Sequence, residues 1–387
     1  MKSIISLFLF SIICFFLTRQ VPFENYSYLS NIAVACLILL YFKKKYIYVA
    51  SFLLLVPLGY SLIIGNNYYY AIRMYIILLS LIVAHYIKIP KIAISVFLAF
   101  CVIQCLFIII ISLSISIGYI DPNFALEYVS ENDWGSVRPL FANIYIVQIV
   151  GSGIITFTYF LSYVSDIFPK KYLGLLRIVF LLAIIVAGNF AYQFSVFLFH
   201  LYFYIKSLRN KRGKITTNRL LLLLIFIISF GGIIFSYVSD TLERKSENSS
   251  PVRIEQVQVL MEDMVDSPGG PILGTGVGHI VNKRGKYKDY RDSAYFELQI
   301  LYFLNQMGVA FFIYMIILYL LAKRHIGNKN LLTVYAFYFL YAATNPYMLD
   351  TTQFVVIIVL CNVVPHRFSY KYYKHECHRC PSSIQAR

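Results

Sequence analysis

Apolar runs separated by short polar segments recur from one end of the chain to the other. A helix rises 1.5 Å per residue, so about 20 apolar residues cross the hydrocarbon layer of a bilayer. Twelve runs are predicted to be transmembrane helices, at residues 3–18, 27–42, 46–64, 70–87, 92–117, 141–163, 173–188, 190–205, 220–238, 296–322, 331–346 and 351–365. The pattern predicts an all-α polytopic membrane protein of about 12 transmembrane helices.

Composition and charge agree with this prediction and add an orientation. Only 13% of the 387 residues are charged and 59% are hydrophobic, whereas soluble domains carry about 25% charged residues. Most Lys and Arg residues fall in alternate segments between the runs, which predicts that the N- and C-termini are cytoplasmic. The net charge of +16 then reflects topology, and no nucleic-acid partner is expected.

The polar segments divide the chain into four parts. Residues 1–238 are predicted to hold transmembrane helices one to nine, and residues 239–295 a large outer loop between the ninth and tenth helices. Residues 296–365 would hold the last three helices, and residues 366–387 a basic cytoplasmic tail.

The tail contains a "HECHRC" stretch in which His375 and His378 flank Cys377 and Cys380. A zinc site normally draws its ligands from two separated pairs. A basic tail at the membrane surface is therefore favoured over a metal site, and no metal or other cofactor is expected.

The large outer loop begins with a predicted helix. Ser250 is placed to cap it, Pro251 lies in its first turn, and Pro268 ends it. Its apolar residues follow helical spacing and are expected to lie along the bilayer surface. They are Ile254, Val257, Met261, Met264 and Val265.

A glycine-rich stretch, "GGPILGTGVGH", follows this helix and ends at His279. A nucleotide-binding P-loop needs a lysine where Thr275 stands, and the dinucleotide fingerprint needs a strand before it and a helix after it. The nucleotide interpretation therefore fails. The glycines instead predict a flexible turn that lets the backbone approach a ligand or a neighbouring helix.

The order of motifs here resembles the bacterial O-antigen polymerase family, which is related to the O-antigen ligases. The resemblance rests on an outer-loop arginine, a P-x-x-G-x-G-x-G turn, a D-S-x-Y-x-E-L stretch and a Q-M-G sequence, between Arg253 and Gly308. The ligases have an H-x-H-N-like segment where this chain reads R-D-S-A-Y, from Arg291 to Tyr295. That departure favours a polymerase.

The resemblance implies a membrane glycosyltransferase in the bacterial inner membrane. It would join undecaprenyl-diphosphate-linked oligosaccharide repeats at the outer face, with both donor and acceptor linked to lipid. A protein that regulates chain length is considered as a further partner.

Arginine suits the diphosphate because its planar fork binds phosphate oxygens in pairs. The candidates for binding diphosphate or substrate are Arg73, Arg138, Arg253, Arg284, Arg291, Gly274, Gly276, Gly278 and Tyr295. A base is also wanted for the acceptor hydroxyl, and Asp292, Glu297 and His279 are the candidates. The arginines supply the positive charge, so the reaction is expected to be independent of metal.

Two alternatives belong to other functional classes or steps. A flippase for lipid-linked oligosaccharides would be a transporter, with charged or broken-helix sites near the bilayer midplane. An O-antigen ligase would share most features of the polymerase. Polar density concentrates in the outer loop, and charged residues are nearly absent from the middle of the apolar runs, which favours an enzyme over a transporter.

Overall fold

The computed structural model describes residues 2–19, 28–42, 45–132, 134–141, 144–210, 250–291, 296, 298–343, 345 and 347–363. Helices dominate the first half of the chain: α1 Lys2–Leu17, α2 Tyr28–Tyr41, α3 Lys45–Ile63, α4 Tyr68–Ala84, α5 Lys91–Ser116, α6 Pro122–Glu131, α7 Gly153–Val164, α8 Leu173–Val186 and α9 Phe190–Asn210. From residue 250 onward the helices are α10 Ser250–Asp266, α11 Gly270–Leu273, α12 Gln299–Met307, α13 Ala310–Ile326, α14 Lys329–Ala342 and α15 Thr351–Asn362. Two strands, β1 Gly135–Phe141 and β2 Ile144–Ile149, form an antiparallel hairpin.

The prediction of twelve transmembrane helices is wrong. In the described part of the chain, only α5, with 26 residues, is long and apolar enough to cross a bilayer by length and composition. Most other apolar helices have 10–17 residues. A helix of 16 residues such as α1 is about 24 Å long, less than the ~30 Å of a hydrocarbon layer.

The predicted location is corrected for the same reason. One helix of spanning length is weak support for a multi-pass protein, so neither the placement in the bacterial inner membrane nor the cytoplasmic assignment of both termini has support here. The predicted helix 220–238 and the tail 366–387, including its Cys and His residues, lie outside the described residues.

Two of the predicted spans fail for visible local reasons. Residues 141–163 contain strand β2, a positive-φ glycine at Gly151 and then the 12-residue helix α7. Residues 296–322 are broken after α12 at Gly308, where α12 and α13 meet with a bend of 119°. Hydropathy counts apolar residues, but it does not register where the helical hydrogen bonding stops.

The core is built around α15, whose residues from Thr352 to Leu360 are all buried. Helices α1, α4, α7, α13 and α14 pack against it. Tyrosines fill much of this interior. Tyr338, Tyr341 and Tyr314 are buried and donate hydrogen bonds to the backbone carbonyls of Tyr347, Gly153 and Leu78, which satisfies their hydroxyl groups inside an apolar region.

Helix α10 forms where the sequence predicts it, and most of the predicted apolar face is exposed. Met264 is buried, whereas Ile254, Val257, Met261 and Val265 are exposed. The buried side of the helix instead carries Glu255, Gln256, Val259 and Leu260. Helix α10 thus presents polar side chains toward the glycine-rich stretch and α12.

Candidate functional site

The glycine-rich stretch is held between α12 and the turn that joins α3 to α4. Thr275 N donates to Asn305 O at 2.8 Å, and Gly276 N donates to Gln306 O at 3.0 Å. From the other side, Ser61 Oγ donates to Val277 O at 2.6 Å. The stretch therefore has a fixed path across the end of α12.

Two of its glycines are required by this close packing. Gly274 has φ of 70°, and a Cβ there would lie 2.4 Å from Asn305 O. Gly278 has φ of 79°, and a Cβ there would lie 2.3 Å from Ala71 N. Side chains are excluded by backbone atoms at both positions. The glycines serve approach to neighbouring helices, which is one of the two possibilities that the sequence leaves open.

The path of the stretch brings His279 between two polar partners. His279 Nε2 lies 3.2 Å from Asp263 Oδ2 and 3.4 Å from Asp263 Oδ1. His279 Nδ1 lies 3.1 Å from Asn66 Oδ1. The His279 and Asp263 side chains are 25% and 12% exposed, so solvent and substrate can reach the pair from one side.

Asp263 is fixed by α12 as well as by His279. The side-chain nitrogen of Asn305 donates to Asp263 Oδ2 at 3.1 Å and to Leu260 O at 2.8 Å. Burial raises the pKa of Asp263, but the hydrogen bonds from His279 and Asn305 outweigh it and the pKa lies below its usual value. Asp263 is therefore an ionised carboxylate at neutral pH.

These residues border a small pocket. Its volume is about 230 Å³. The pocket is lined by Ile64, Asn66, Asp263, Asp266, Ser267, Pro268, Thr275 and His279. Carboxylate, hydroxyl, amide and imidazole groups thus converge on one concave surface.

The predicted arginines do not line this pocket. Arg291 is exposed and donates to both carboxylate oxygens of Asp289, its Nε at 2.9 and 3.0 Å. The hydrogen bonds and charge of Arg291 lower the pKa of Asp289 to about 2. Arg284 is exposed and pairs through its backbone with Asp289. Arg284 and Arg291 therefore belong to one hairpin beside the pocket.

The other predicted arginines are spread over the surface. Arg138 is exposed on β1 and donates to Gln148 on β2 at 3.0 Å. Arg73 is exposed on α4, and Arg253 is half-buried in the first turn of α10. The structure does not bring these three together with the hairpin arginines into one cation cluster at the pocket. Asp292, Tyr295 and Glu297 lie outside the described residues.

The hairpin from Lys283 to Arg291 is fastened to α10 by Glu255. The Glu255 carboxylate accepts hydrogen bonds from the backbone N–H of Lys286, from Tyr287 at 2.9 Å and from Lys288 at 3.1 Å. Burial raises the pKa of Glu255, but these donors outweigh it and the pKa is lowered. Lys283 Nζ also pairs with Asp266 Oδ2 at 2.9 Å, which sets the hairpin at the rim of the pocket.

Asp263, Asn66 and Asn305 were not among the residues that the sequence singles out. Asp263 is visible in the sequence only as one of several acidic residues between positions 239 and 295. Asn66 lies in a short turn between two apolar helices, and Asn305 follows Leu304 and precedes Gln306 near the end of α12. A polar amide inside an apolar segment is the one signal that points to Asn305, because such a group needs a buried partner.

Comparison with known protein families, curated proteins and solved structures finds no match to this chain.

Proposed function

We propose that the protein is a glycosyltransferase that joins undecaprenyl-diphosphate-linked oligosaccharide repeats, as the O-antigen polymerases do. The observation that carries the proposal is the Asp263–His279 pair in a pocket built on the glycine turn. The motif segments behind the family resemblance also pack on one another. Val309 N, next to the Q-M-G sequence, donates to Ile272 O in the turn at 3.0 Å.

The chemistry of the pocket suits a sugar better than a diphosphate. Asp263 and Asp266 both line it, together with Ser267 and Thr275. Two carboxylates disfavour a bound anion, whereas carboxylate and hydroxyl oxygens accept hydrogen bonds from sugar hydroxyls. The acceptor sugar is therefore assigned to the pocket.

The donor diphosphate is assigned to the neighbouring hairpin. Arg284, Lys286 and Lys288 are exposed there, and Glu255 fixes the backbone that carries the two lysines. Exposed Lys and Arg side chains can form charge-assisted hydrogen bonds with phosphate oxygens at the protein surface, so a buried pocket is not needed. The ion pair between Lys283 and Asp266 keeps this cationic hairpin next to the acceptor pocket.

The reaction then needs one proton transfer and one nucleophilic displacement at the anomeric carbon of the donor. Asp263 accepts the proton of the acceptor hydroxyl as that oxygen attacks the anomeric carbon of the donor. The bond from that carbon to the diphosphate breaks, and the diphosphate leaves with the electron pair. A new glycosidic bond forms, and the proton on Asp263 passes to water.

The test uses purified full-length protein and lipid-linked repeats extracted from a strain that lacks it. The wild type should lengthen the glycan, and Asp263→Asn should lower the rate about 100-fold or more, the size expected for loss of a general base. Glu127→Gln, an exposed carboxylate on α6, is the matched control. A folded Asp263→Asn variant that polymerises at the wild-type rate would overturn the mechanism.

A deletion separates the polymerase from the alternatives. Without a polymerase, single repeats are still flipped and attached to lipid A–core, which gives one discrete band above bare core on a gel. Loss of a flippase or a ligase gives bare core alone. Bare core without the single-repeat band, in a strain with a working ligase, would exclude the polymerase.

A further inference from the structure

The side-chain amide of Asn66 has only one possible orientation. Its nitrogen lies 2.9 Å from Thr275 O and 2.9 Å from Ser61 Oγ. A backbone carbonyl accepts hydrogen bonds and cannot donate them, so the atom facing Thr275 O must be the NH₂ group. The carbonyl oxygen of Asn66 therefore faces His279 Nδ1, at 3.1 Å.

Both ring nitrogens of His279 then face acceptors. Nδ1 faces the amide oxygen of Asn66, and Nε2 faces the ionised carboxylate of Asp263. A neutral imidazole carries one N–H and one lone pair, so either neutral tautomer would set a lone pair against an oxygen. Only the doubly protonated ring satisfies both contacts.

We infer that Asn66 is a positioning residue that holds His279 as an imidazolium cation paired with Asp263. The charged groups around the pocket that His279 lines come from α10 and from the segment after the glycine stretch. Asp263 and Asp266 belong to α10, and Lys283, which pairs with Asp266, follows the glycine stretch. Helix α12 contributes two neutral amides: Asn305 donates to Asp263 Oδ2 at 3.1 Å, and Gln306 donates to the backbone oxygen of His279 at 3.3 Å.

The inference changes the role of His279 within the proposed function, on which this part rests. A ring whose two nitrogens both donate has no lone pair for a substrate proton, so His279 does not act as the base that the sequence proposes. It is a fixed positive charge that keeps Asp263 ionised and oriented toward the acceptor hydroxyl.

The experiment reads the protonation of His279 directly. Full-length protein labelled with ¹⁵N in its histidine rings is examined by NMR at pH 7.5, and the His279→Gln variant assigns the signals. Both His279 nitrogens should carry protons in the wild type. In Asn66→Leu, Nδ1 loses its acceptor, and one nitrogen should appear unprotonated in about half or more of the molecules. Asn132→Leu, at a half-buried asparagine that ends α6 and whose side chain donates to Tyr128 O at 2.8 Å, should leave the signals unchanged.

Each result decides the matter. A neutral His279 ring in the wild type would overturn the inference, and that measurement needs no variant to fold. A ring that stays doubly protonated in folded Asn66→Leu would overturn the role of Asn66. If the protein fails to polymerise lipid-linked repeats but both nitrogens are protonated, the polymerase proposal falls and this inference stands.

Discussion

Asn305 holds Asp263 through a single side-chain nitrogen. That nitrogen donates to Asp263 Oδ2 at 3.1 Å and to Leu260 O at 2.8 Å, while the amide oxygen accepts from Thr275 Oγ1 at 3.0 Å. One buried amide on α12 therefore joins the candidate base, the helix that carries it and the glycine stretch beside it. The geometry of the site depends on this connection.

Replacement of Asn305 by Leu should damage both stability and activity. Leucine fits the space but removes the hydrogen bonds to Asp263 Oδ2 and Leu260 O, and it leaves the Thr275 hydroxyl only the backbone carbonyl of residue 305, at 3.2 Å, as an acceptor. Each hydrogen bond lost should cost about 0.5–1.5 kcal/mol. Urea unfolding should show the loss of stability. Asn132→Leu at the exposed end of α6 is the control. Equal stability of the two variants would mean that the Asn305 amide contributes nothing that water cannot replace.

Replacement of Gly278 by alanine should destabilise the protein much more than the same replacement at Gly118, which has the same backbone conformation. Gly278 and Gly118 have φ of 79° and 78°, but a Cβ at Gly278 would lie 2.3 Å from Ala71 N whereas nothing lies within 4 Å at Gly118. Both alanine variants incur the left-handed penalty of about 1–2 kcal/mol. Only Gly278→Ala must also displace the first turns of α4.

The comparison is made by thermal and urea unfolding of the two alanine variants. Gly278→Ala should lose at least ~2 kcal/mol more than Gly118→Ala, because backbone atoms cannot move aside as a flexible side chain does. It should also lower activity, because Gly278 directly precedes His279. A similar loss in both variants would show that the α4 contact is not tight.

The sequence predicts some parts of this structure well, for physical reasons that also explain the failures. Helix α10 begins at Ser250 and ends at Asp266, because capping and proline signals act within a few residues. The twelve spans fail because hydropathy integrates over about 20 residues and does not register the breaks at Gly151 and Gly308.

The candidate site divides in the same way. The sequence identifies His279 as a candidate because this residue ends a conspicuous glycine-rich stretch. Its partner Asn66 lies 213 residues away along the chain and its partner Asp263 lies 16 residues away, and no local pattern connects them. The sequence also does not show that Arg291 pairs with Asp289, two residues away. This pairing neutralises one of the arginines on which the diphosphate prediction rests.

Asp350 should make the stability of the protein depend on pH between about 4 and 6. Burial raises its pKa to about 6, even though it caps α15 by accepting from Gln353 N at 3.0 Å. A folded-state pKa above the unfolded value of about 3.9 means that stability is fully present below pH 4 and falls as pH rises through 6.

Asp350→Asn keeps a capping oxygen and removes the charge. Its unfolding free energy, measured in urea from pH 4 to pH 7, should therefore change less with pH than that of the wild type. The control is Asp121→Asn, an exposed N-cap on α6 that accepts from Asn123 N at 2.9 Å. A pH profile unaltered by Asp350→Asn would show that folding does not raise the pKa of this carboxyl group.

Glu255 should determine whether the cationic hairpin keeps its shape. In Glu255→Gln, an NH₂ group replaces one of the oxygens that face the N–H groups of Lys286, Tyr287 and Lys288. Loss of charge-assisted bonds of this kind should speed hydrogen exchange at these amides by about tenfold or more.

The wild type should show the same loosening on acidification, because the pKa of Glu255 is lowered and its contribution is lost as pH falls through that value. Glu262→Gln, an exposed carboxylate whose oxygen lies 3.7 Å from Lys283 Nζ, should leave the exchange of the hairpin unchanged.

If lipid-linked repeats bind through this hairpin, Glu255→Gln should raise KM more than it lowers kcat, since the carboxylate shapes the binding segment and has no assigned part in the displacement at the anomeric carbon. Slow exchange in Glu255→Gln, equal to that of the wild type, would show that the hairpin holds its conformation without the carboxylate.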